Sequence, residues 1–218
     1  GRQSRANIDT KLVGGSVAWA PSDSRLSAQL GGTYAWHDID TTRTLTTAGL
    51  ASTLTSQSTA NSAQIFGEIA YKVVDGPVAL SPFVRYDHIR TTANSLVEAG
   101  GAAALRVGRE RRDTNFVSFG VRMTGSAPIS SGLTFEPRIV AAYVRGWGDL
   151  AGTRSASFLG SGPSYLVAGS RLGRDNLDID IGFDLATASG IRFGLGGFGK
   201  TSKEWGDYGG RVTASFRF

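Results

Sequence analysis

The sequence predicts an all-β fold, an antiparallel up-and-down transmembrane β-barrel with about nine strands in this chain. Three observations predict it. Apolar and polar residues alternate over segments of about 9 to 11 residues, the length that a tilted strand needs to cross a bilayer. Glycine supplies 30 of the 218 residues, and glycine inside alternating segments is typical of sheets that bend. No run approaches the roughly 20 apolar residues of a membrane-spanning helix.

The first strands are predicted from the N-terminal half of the chain. A less regular strand at residues 13–19 is followed by 25–37, where Leu26, Leu30 and Trp36 share one face. Two more alternating segments lie at 64–73 and at about 80–87.

Five further strands follow with the same period. They lie at residues 117–123, 135–143, 177–185, 191–195 and 208–218. The last is the clearest, because Tyr208, Gly210, Val212, Ala214, Phe216 and Phe218 alternate with polar or small residues to the end of the chain. Aromatic residues near strand ends predict interfacial girdles, at Trp19, Trp36, Tyr71, Tyr86, Tyr143 and Trp147.

Charged residues fall in the middle of these strands on one consistent face. That face must meet water or partner charges inside a lumen, while the apolar face meets lipid. We expect a network of opposite charges that holds the shape of the pore, formed by Glu68, Lys72, Arg85, Arg122, Glu136, Arg138, Asp178, Asp180 and Asp184.

Short and long connections are predicted to alternate. The short turns lie at residues 20–24, 75–77, 125–132 and 187–190, and the long loops at 38–60, 91–113, 146–173 and 199–207. Outer-membrane barrels have short periplasmic turns and longer extracellular loops, so the C terminus is predicted to be periplasmic. A closed antiparallel barrel needs an even number of strands. Nine strands therefore predict an open seam or an irregular closure, with an odd number of strands missing before Gly1.

Composition narrows the function. The chain contains no cysteine, which excludes disulfides, thiolate metal sites and cysteine nucleophiles. Its net charge is +5, but the arginines are spread along the chain and do not form the stripe expected of a nucleic-acid surface. No spacing requires a metal, and no cofactor is predicted. One pattern runs from residue 1 to 218, which predicts a single domain, and any export signal is expected upstream of Gly1.

Several motifs occur in the order found in one known family. They are residues 34–40 (YAWHDID), 63–71 (AQIFGEIAY), 80–84 (LSPFV), 98–105 (EAGGAAAL), 135–138 (FEPR), 167–169 (VAG), 174–175 (RD) and 216–218 (FRF). Together they cover nearly the whole chain. The sequence resembles the autotransporter β-domain of type V secretion.

The resemblance implies a twelve-stranded barrel in the bacterial outer membrane, of which this chain corresponds to the last nine strands. In that family an N-terminal helix threads the lumen, and the barrel anchors and helps to export a passenger domain. The implied partners are lipid, lipopolysaccharide, the barrel assembly machinery and the passenger, and no enzymatic activity is implied. The terminal strand resembles the signal that the assembly machinery binds, on Val212, Ala214, Phe216 and Phe218.

Two polar features suggest alternative functions. His37 and His88 each lie beside aspartates, and histidine oriented by a carboxylate can act as a general base, as in omptin-like surface proteases. Such residues also occur in autotransporter barrels as interfacial polar groups without a catalytic role. A basic stretch could bind lipopolysaccharide phosphates or passenger carboxylates, or form a solvated loop; it contains Arg106, Arg109, Glu110, Arg111, Arg112 and Asp113.

Two whole-chain alternatives stay open. A stand-alone outer-membrane porin or structural barrel would carry no passenger. A soluble ligand-binding barrel of the lipocalin type would direct its apolar residues inward, toward the ligand. The two barrel classes therefore differ in which face of the wall is apolar.

Overall fold

The computed structural model describes residues 2–47, 50–160 and 162–216, and every regular element in these ranges is a β-strand. The strands are β1 (Arg2–Trp19), β2 (Leu26–Thr47), β3 (Leu50–Tyr71), β4 (Val78–Ala93), β5 (Leu96–Val97), β6 (Leu105–Val107), β7 (Glu110–Gly125), β8 (Ala127–Ser130), β9 (Leu133–Gly148), β10 (Ala151–Phe158), β11 (Tyr165–Arg171), β12 (Asp175–Thr187), β13 (Ile191–Ser202) and β14 (Gly206–Phe216). No helix in the described ranges has the length and hydrophobicity needed to cross a membrane.

Nine long strands form one antiparallel sheet in the order β1-β2-β3-β4-β7-β9-β12-β13-β14, and β8 adds a short pairing with β9. Successive long strands are neighbours throughout, which confirms the up-and-down arrangement and the count of nine. Within the described residues, β1 pairs only with β2 and β14 only with β13. The sheet is therefore an open half-barrel, with the seam that an odd number of strands predicts.

The connections give the sheet two distinct ends. At the end that we call the turn end, short connections join β1 to β2, β3 to β4 and β12 to β13. At the opposite end, which we call the hairpin end, β2 and β3 stay paired up to residues 47 and 50. Longer segments follow β4 and β9 at the hairpin end, whereas β14 ends at the turn end.

The predicted loop over residues 38–60 is wrong. There β2 and β3 continue as a paired hairpin, with His37 opposite Ala60 and Arg43 opposite Leu54. The segment is rich in threonine, which favours strands, but its outer face is polar, and its apolar residues, such as Ile39 and Leu54, point inward. The pattern of a lipid-facing strand, apolar outside and polar inside, is therefore absent from it. The predicted first strand is too short for the same reason, since β1 pairs with β2 from Arg2 onward.

Two other predicted loops also contain strands. Within residues 91–113 and 146–173, strands β5, β6, β10 and β11 form a second sheet at the hairpin end, in the order β11-β10-β6-β5. It is fixed to β3 by two backbone hydrogen bonds of 2.8 and 2.9 Å between Thr55 and Ala99, beside the fully buried Leu54. The last predicted loop, residues 199–207, is also too long, because only residues 203–205 separate β13 from β14.

The two faces of the nine-stranded wall differ in polarity. On the outer face, apolar side chains are left uncovered, as at Leu30, Ile69 and Phe119, which are 63%, 59% and 53% exposed. The inner face carries the mid-strand charges and lines a cavity. This polarity is opposite to that of a soluble ligand-binding barrel, and it fits a wall that meets lipid.

Small residues on the inner face make room for aromatic rings. Four phenylalanines each lie against a glycine on the adjacent strand, in the pairs Phe66–Gly31, Phe83–Gly120, Phe116–Gly146 and Phe198–Gly209. A β-carbon on Gly31 would lie 2.6 Å from Phe66 Cζ, closer than real β-carbons approach. Glycine at these positions therefore permits close packing across neighbouring strands.

Candidate functional site

The inner face of the wall surrounds a cavity of about 660 Å³. Strands β3, β4, β7, β9, β12, β13 and β14 supply its lining, because residues two apart on a strand point to the same face. Charged side chains form two clusters on this surface, and an apolar strip extends from the first cluster toward the second. We call this surface the lumenal face.

The first charged cluster lies on β3, β4 and β7. Arg122 Nη2 donates a hydrogen bond of 2.9 Å to Glu68 Oε1, reaching across β4. Arg85 Nη2 donates to Asp87 Oδ1 at 2.7 Å, and Gln64 Nε2 donates to the same oxygen at 2.7 Å. The Glu68 and Asp87 carboxylates are mostly buried, so the guanidinium groups compensate charges that have little contact with solvent.

The second charged cluster lies on β9, β12, β13 and β14. Its ion pairs are Arg138–Asp180 at 3.7 Å, Arg138–Asp184 at 3.9 Å, Arg211–Asp180 at 3.2 Å, Lys200–Asp178 at 3.2 Å and Arg192–Glu136 at 2.6 Å. Four cations face four anions here, and two face two in the first cluster. The lumenal face is therefore strongly polar in both clusters yet close to electrically neutral.

The apolar strip crosses the strands from β3 to β9, along the directly opposite residues Ala70, Phe83, Gly120 and Ala142. Phe83 and Ala142 are each 7% exposed and form a buried core with Ala70. Val140 and Val144 pack against that core and line the cavity. The guanidinium of Arg122 lies over the Phe83 ring, 5.1 Å from its centre, a cation–π contact that joins the strip to the first cluster.

The structure places eight of the nine predicted lumenal charges on this face, namely Glu68, Arg85, Arg122, Glu136, Arg138, Asp178, Asp180 and Asp184. Lys72 is the exception. It follows the end of β3 and lies 3.4 Å from Asp75 in the turn. The prediction omitted Asp87, Arg192, Lys200 and Arg211, although all four occupy inner-face positions that the alternation of their strands could have identified.

Comparison with known protein families identifies the family to which this β-sheet belongs. The model of the autotransporter beta-domain matches residues 1–197. The chain belongs to the autotransporter beta-domain family. Membership confirms the predicted resemblance and places the chain among translocator barrels of the outer membrane, which are structural and not catalytic domains.

Two curated relatives extend the comparison. Both are named extracellular serine protease, from Serratia marcescens, and are 25% and 24% identical to this chain over 221 residues. Each alignment covers 96% of this chain but 21% of the relative. The chain therefore spans about a fifth of the length of these relatives.

A solved structure shares the fold. The translocator domain of the autotransporter NalP from Neisseria meningitidis superposes with a TM-score of 0.62 at 15% sequence identity. The match covers 99% of this chain and 69% of that domain. The half-barrel of this chain therefore corresponds to a part of an autotransporter barrel wall.

The terminal strand β14 forms one edge of this autotransporter wall. It is hydrogen bonded to β13 over Gly206–Phe216, and Val212 and Phe216 are 81% and 69% exposed. Ala214 lies opposite Phe193. Phe218, the last residue of the predicted assembly signal, lies outside the described residues.

The two histidines lie on opposite faces of the autotransporter wall. His37 points inward, where its ring nitrogens lie 2.9 Å from Thr10 Oγ1 and 3.2 Å from Ser62 Oγ. His88 shares the outer face with Tyr86, and its Nδ1 lies 2.9 Å from Asn115 Oδ1. A shared protease site on these two residues, the omptin-like alternative, is therefore not assembled.

The basic stretch also divides between the two faces. Arg112 points inward and donates to the backbone oxygens of Asp149 and Leu150 at 3.3 and 3.2 Å. Arg111 points outward and donates to Asp113 at 3.1 Å. The stretch is therefore not one continuous patch, since alternation along β7 separates neighbouring residues.

Proposed function

We propose that residues 1–218 form a single domain, the larger part of an outer-membrane translocator barrel that anchors an N-terminal passenger and helps to export it to the cell surface. The observation that carries the proposal is the polarity of the wall, apolar outside and charged but neutralised inside. A polar lumen suits a hydrated polypeptide, and an apolar outer face suits lipid. Family membership supports the same role.

The proposed orientation has the C terminus in the periplasm. β14 ends at the turn end, where the short connections lie. The paired extensions and the second sheet lie at the hairpin end, which we assign to the cell surface because outer-membrane barrels carry their longer connections there. The outer face between the two ends would contact acyl chains, with lipopolysaccharide as its partner in the outer leaflet.

The open edges support a further part of the proposal. Unpaired strand edges expose backbone donors and acceptors that accept another strand. We propose that strands from outside these residues close the barrel at β1, and that β14 is the strand that the barrel assembly machinery pairs with during insertion. Val212, Ala214, Phe216 and Phe218 would then form the face that the machinery recognises.

For the lumenal charges we propose a shape-holding role. Each carboxylate of the first cluster has a guanidinium partner. The lining therefore has little net charge that could hold back a charged polypeptide segment as it passes through the lumen. The apolar strip along Phe83 and Val140 gives a threaded segment a surface to lie against. Loss of a pair would collapse the lining locally, because an uncompensated buried charge is costly.

The test uses the full-length protein in cells. Arg122→Glu should reduce the passenger that external protease can cleave by severalfold, because it sets a second carboxylate against Glu68. Glu68→Arg should do the same, and the double exchange should restore export. Lys72→Glu, in the turn, is the matched control and should leave export unchanged. Normal export in both single variants would contradict the shape-holding role, and a parent protein that displays no passenger would contradict the proposed function.

A further inference from the structure

Two arginines on the outer face share one carboxylate. Arg90 Nε donates to Asp113 Oδ1 at 2.6 Å, and Arg111 Nε donates to Asp113 Oδ2 at 3.1 Å. Both guanidinium groups use only Nε in these bonds. Their terminal amino groups have no hydrogen-bond partner among the described residues. The Asp113 carboxylate therefore holds the two guanidinium groups side by side. The four terminal amino groups of Arg90 and Arg111 are not used in these two hydrogen bonds.

The pair lies just beyond an aromatic girdle. Tyr86 and Trp147 are on the same outer face, with ring centres 6.1 Å apart, and the Tyr86 hydroxyl donates to Asn115 at 2.7 Å. Arg90 is four residues beyond Tyr86 on β4, about 13 Å along the strand, or about 10 Å in height at the usual tilt. This is the depth of the headgroups when the aromatic rings lie at the edge of the hydrocarbon layer.

Other charged groups near the pair leave its amino groups accessible. His88 Nε2 lies 3.7 Å from Asp113 Oδ1. The Asp149 carboxylate accepts a hydrogen bond from the Asp113 backbone nitrogen at 3.0 Å, so it is already engaged. Arg90 and Arg111 keep 47% and 56% of their side chains exposed. The guanidinium pair, called here the outer arginine pair, is thus held in place and open to the outside.

We propose that Arg90 and Arg111 bind a phosphate of lipopolysaccharide, the phosphorylated glycolipid of the outer leaflet. A guanidinium fork matches the geometry of a phosphate and binds it bidentately. The occupant is a lipid because the pair stands on the lipid-facing side, in line with the exposed Phe119, beside which acyl chains would lie. The inference rests on the proposed outer-membrane orientation.

The geometry distinguishes this pair from the rest of the basic stretch. The Arg112 guanidinium donates hydrogen bonds to backbone oxygens on the inner face of the wall. Arg106 belongs to the second sheet, away from the apolar outer face. A phosphate at the membrane surface can therefore be reached from the outer arginine pair and not from these two residues.

The experiment measures glycolipid binding to the detergent-purified full-length protein by native mass spectrometry. Bisphosphorylated lipid A is the probe, and dephosphorylated lipid A and inorganic phosphate are the comparison ligands. Arg90→Gln combined with Arg111→Gln should weaken lipid A binding by about tenfold or more, the loss of at least one charge-assisted hydrogen bond. Arg106→Gln is the matched control and should bind as the parent does.

Each comparison has a defined meaning. Equal binding of dephosphorylated lipid A, or unchanged binding in the double variant, would overturn the proposal. Binding of inorganic phosphate at the same affinity as lipid A would overturn the assignment to a lipid. Passenger exposure is measured on the same cells. If export fails in the parent protein while lipid A binding depends on the outer arginine pair, the translocator function is wrong and the glycolipid site stands. If export is normal but lipid A binding does not depend on the pair, the translocator function stands and the glycolipid site is wrong.

Discussion

The two halves of the β2–β3 hairpin share one continuous ladder of backbone pairs but differ in side-chain pattern. Toward the turn end, Leu30 and Ile69 present an apolar outer face to the surroundings. Toward the hairpin end, Asp38 and Gln57 occupy the corresponding outer positions. The backbone hydrogen bonds are the same in both halves, so the bilayer and not the sheet imposes the apolar alternation.

The inner sides of the two halves also differ. Toward the turn end they face the cavity, where charges pair across strands. Toward the hairpin end, Leu54 is fully buried beneath the segment that joins β4 to β6. Arg43 Nε donates to Glu98 Oε1 at 3.1 Å and fastens that segment to β2. We call the part of the nine-stranded wall toward the turn end the membrane half, and the part toward the hairpin end the hairpin half. The membrane half has charged residues inside and apolar residues outside, whereas the hairpin half has buried residues inside and polar residues outside.

The largest effect should come from placing a charge on the outer face of the membrane half. Val121→Arg, two residues beyond Phe119 on the outer face of β7, where Val121 is 42% exposed, is expected to destabilise the inserted barrel by about 2–4 kcal/mol, the cost of arginine near the bilayer midplane. Gln57→Arg, on the outer face of the hairpin half, should change stability by less than about 0.5 kcal/mol. Urea unfolding in lipid vesicles measures both. Equal costs at the two positions would show that the halves do not differ in environment.

The next effect concerns packing inside the membrane half. A side chain on Gly120 would overlap the Phe83 ring, so Gly120→Val should cost about 1–3 kcal/mol through overpacking. Gly15→Val is the control, because nothing lies within 4 Å of a β-carbon there. The folded fraction by gel mobility after refolding reports the difference. A tolerant Gly120 would mean that Phe83 can leave its position at little cost.

A smaller, local effect should follow from the clamp in the hairpin half. Arg43→Gln removes the partner of Glu98, whose side chain is 10% exposed, and should weaken the attachment of residues 94–108 by about 1–2 kcal/mol. Hydrogen exchange should rise at Leu105, whose backbone nitrogen donates to Glu98 at 3.0 Å, while exchange in the membrane half stays slow. Arg106→Gln should leave both unchanged. A global loss of protection would contradict the separation of the halves.

The smallest effect is the dependence on pH at the outer arginine pair. A hydrogen bond from Arg90, then one from Arg111, lowers the pKa of Asp113 below its usual value. A lowered folded-state pKa contributes stability above the unfolded value, near pH 4, and that stability disappears as the pH falls through the folded value. The free energy of unfolding of Asp113→Asn should therefore fall slightly less below about pH 4 than that of the parent protein. The difference is small because the site is exposed. A change confined to neutral pH would contradict the assignment.

The sequence predicts the membrane half well because lipid leaves a period of two in the residues. Ile65 and Ile181 lie on the outer face where alternation puts them, and Glu68 and Asp180 lie inside. The hairpin half escapes prediction because Thr41 and its neighbours need no apolar face.

Partner choice inside the lumen escapes prediction for another reason. Lys72 and Arg85 have similar sequence contexts, but β3 ends before Lys72, and only the register of the strands decides which charges meet. A single sequence carries no direct record of that register when several slips keep the same faces in and out.

Three lumenal ion pairs join strands that are not neighbours: Arg122–Glu68, Arg192–Glu136 and Arg211–Asp180. In a flat sheet such strands are about 9–10 Å apart with parallel side chains, so bending of the wall toward the lumen brings these charges closer together. Each pair connects two strands across the strand between them. If the wall flattened, these ion pairs would separate before any backbone hydrogen bond broke. The open wall therefore maintains its own radius of curvature, and a strand that arrives at either edge meets a surface that is already bent.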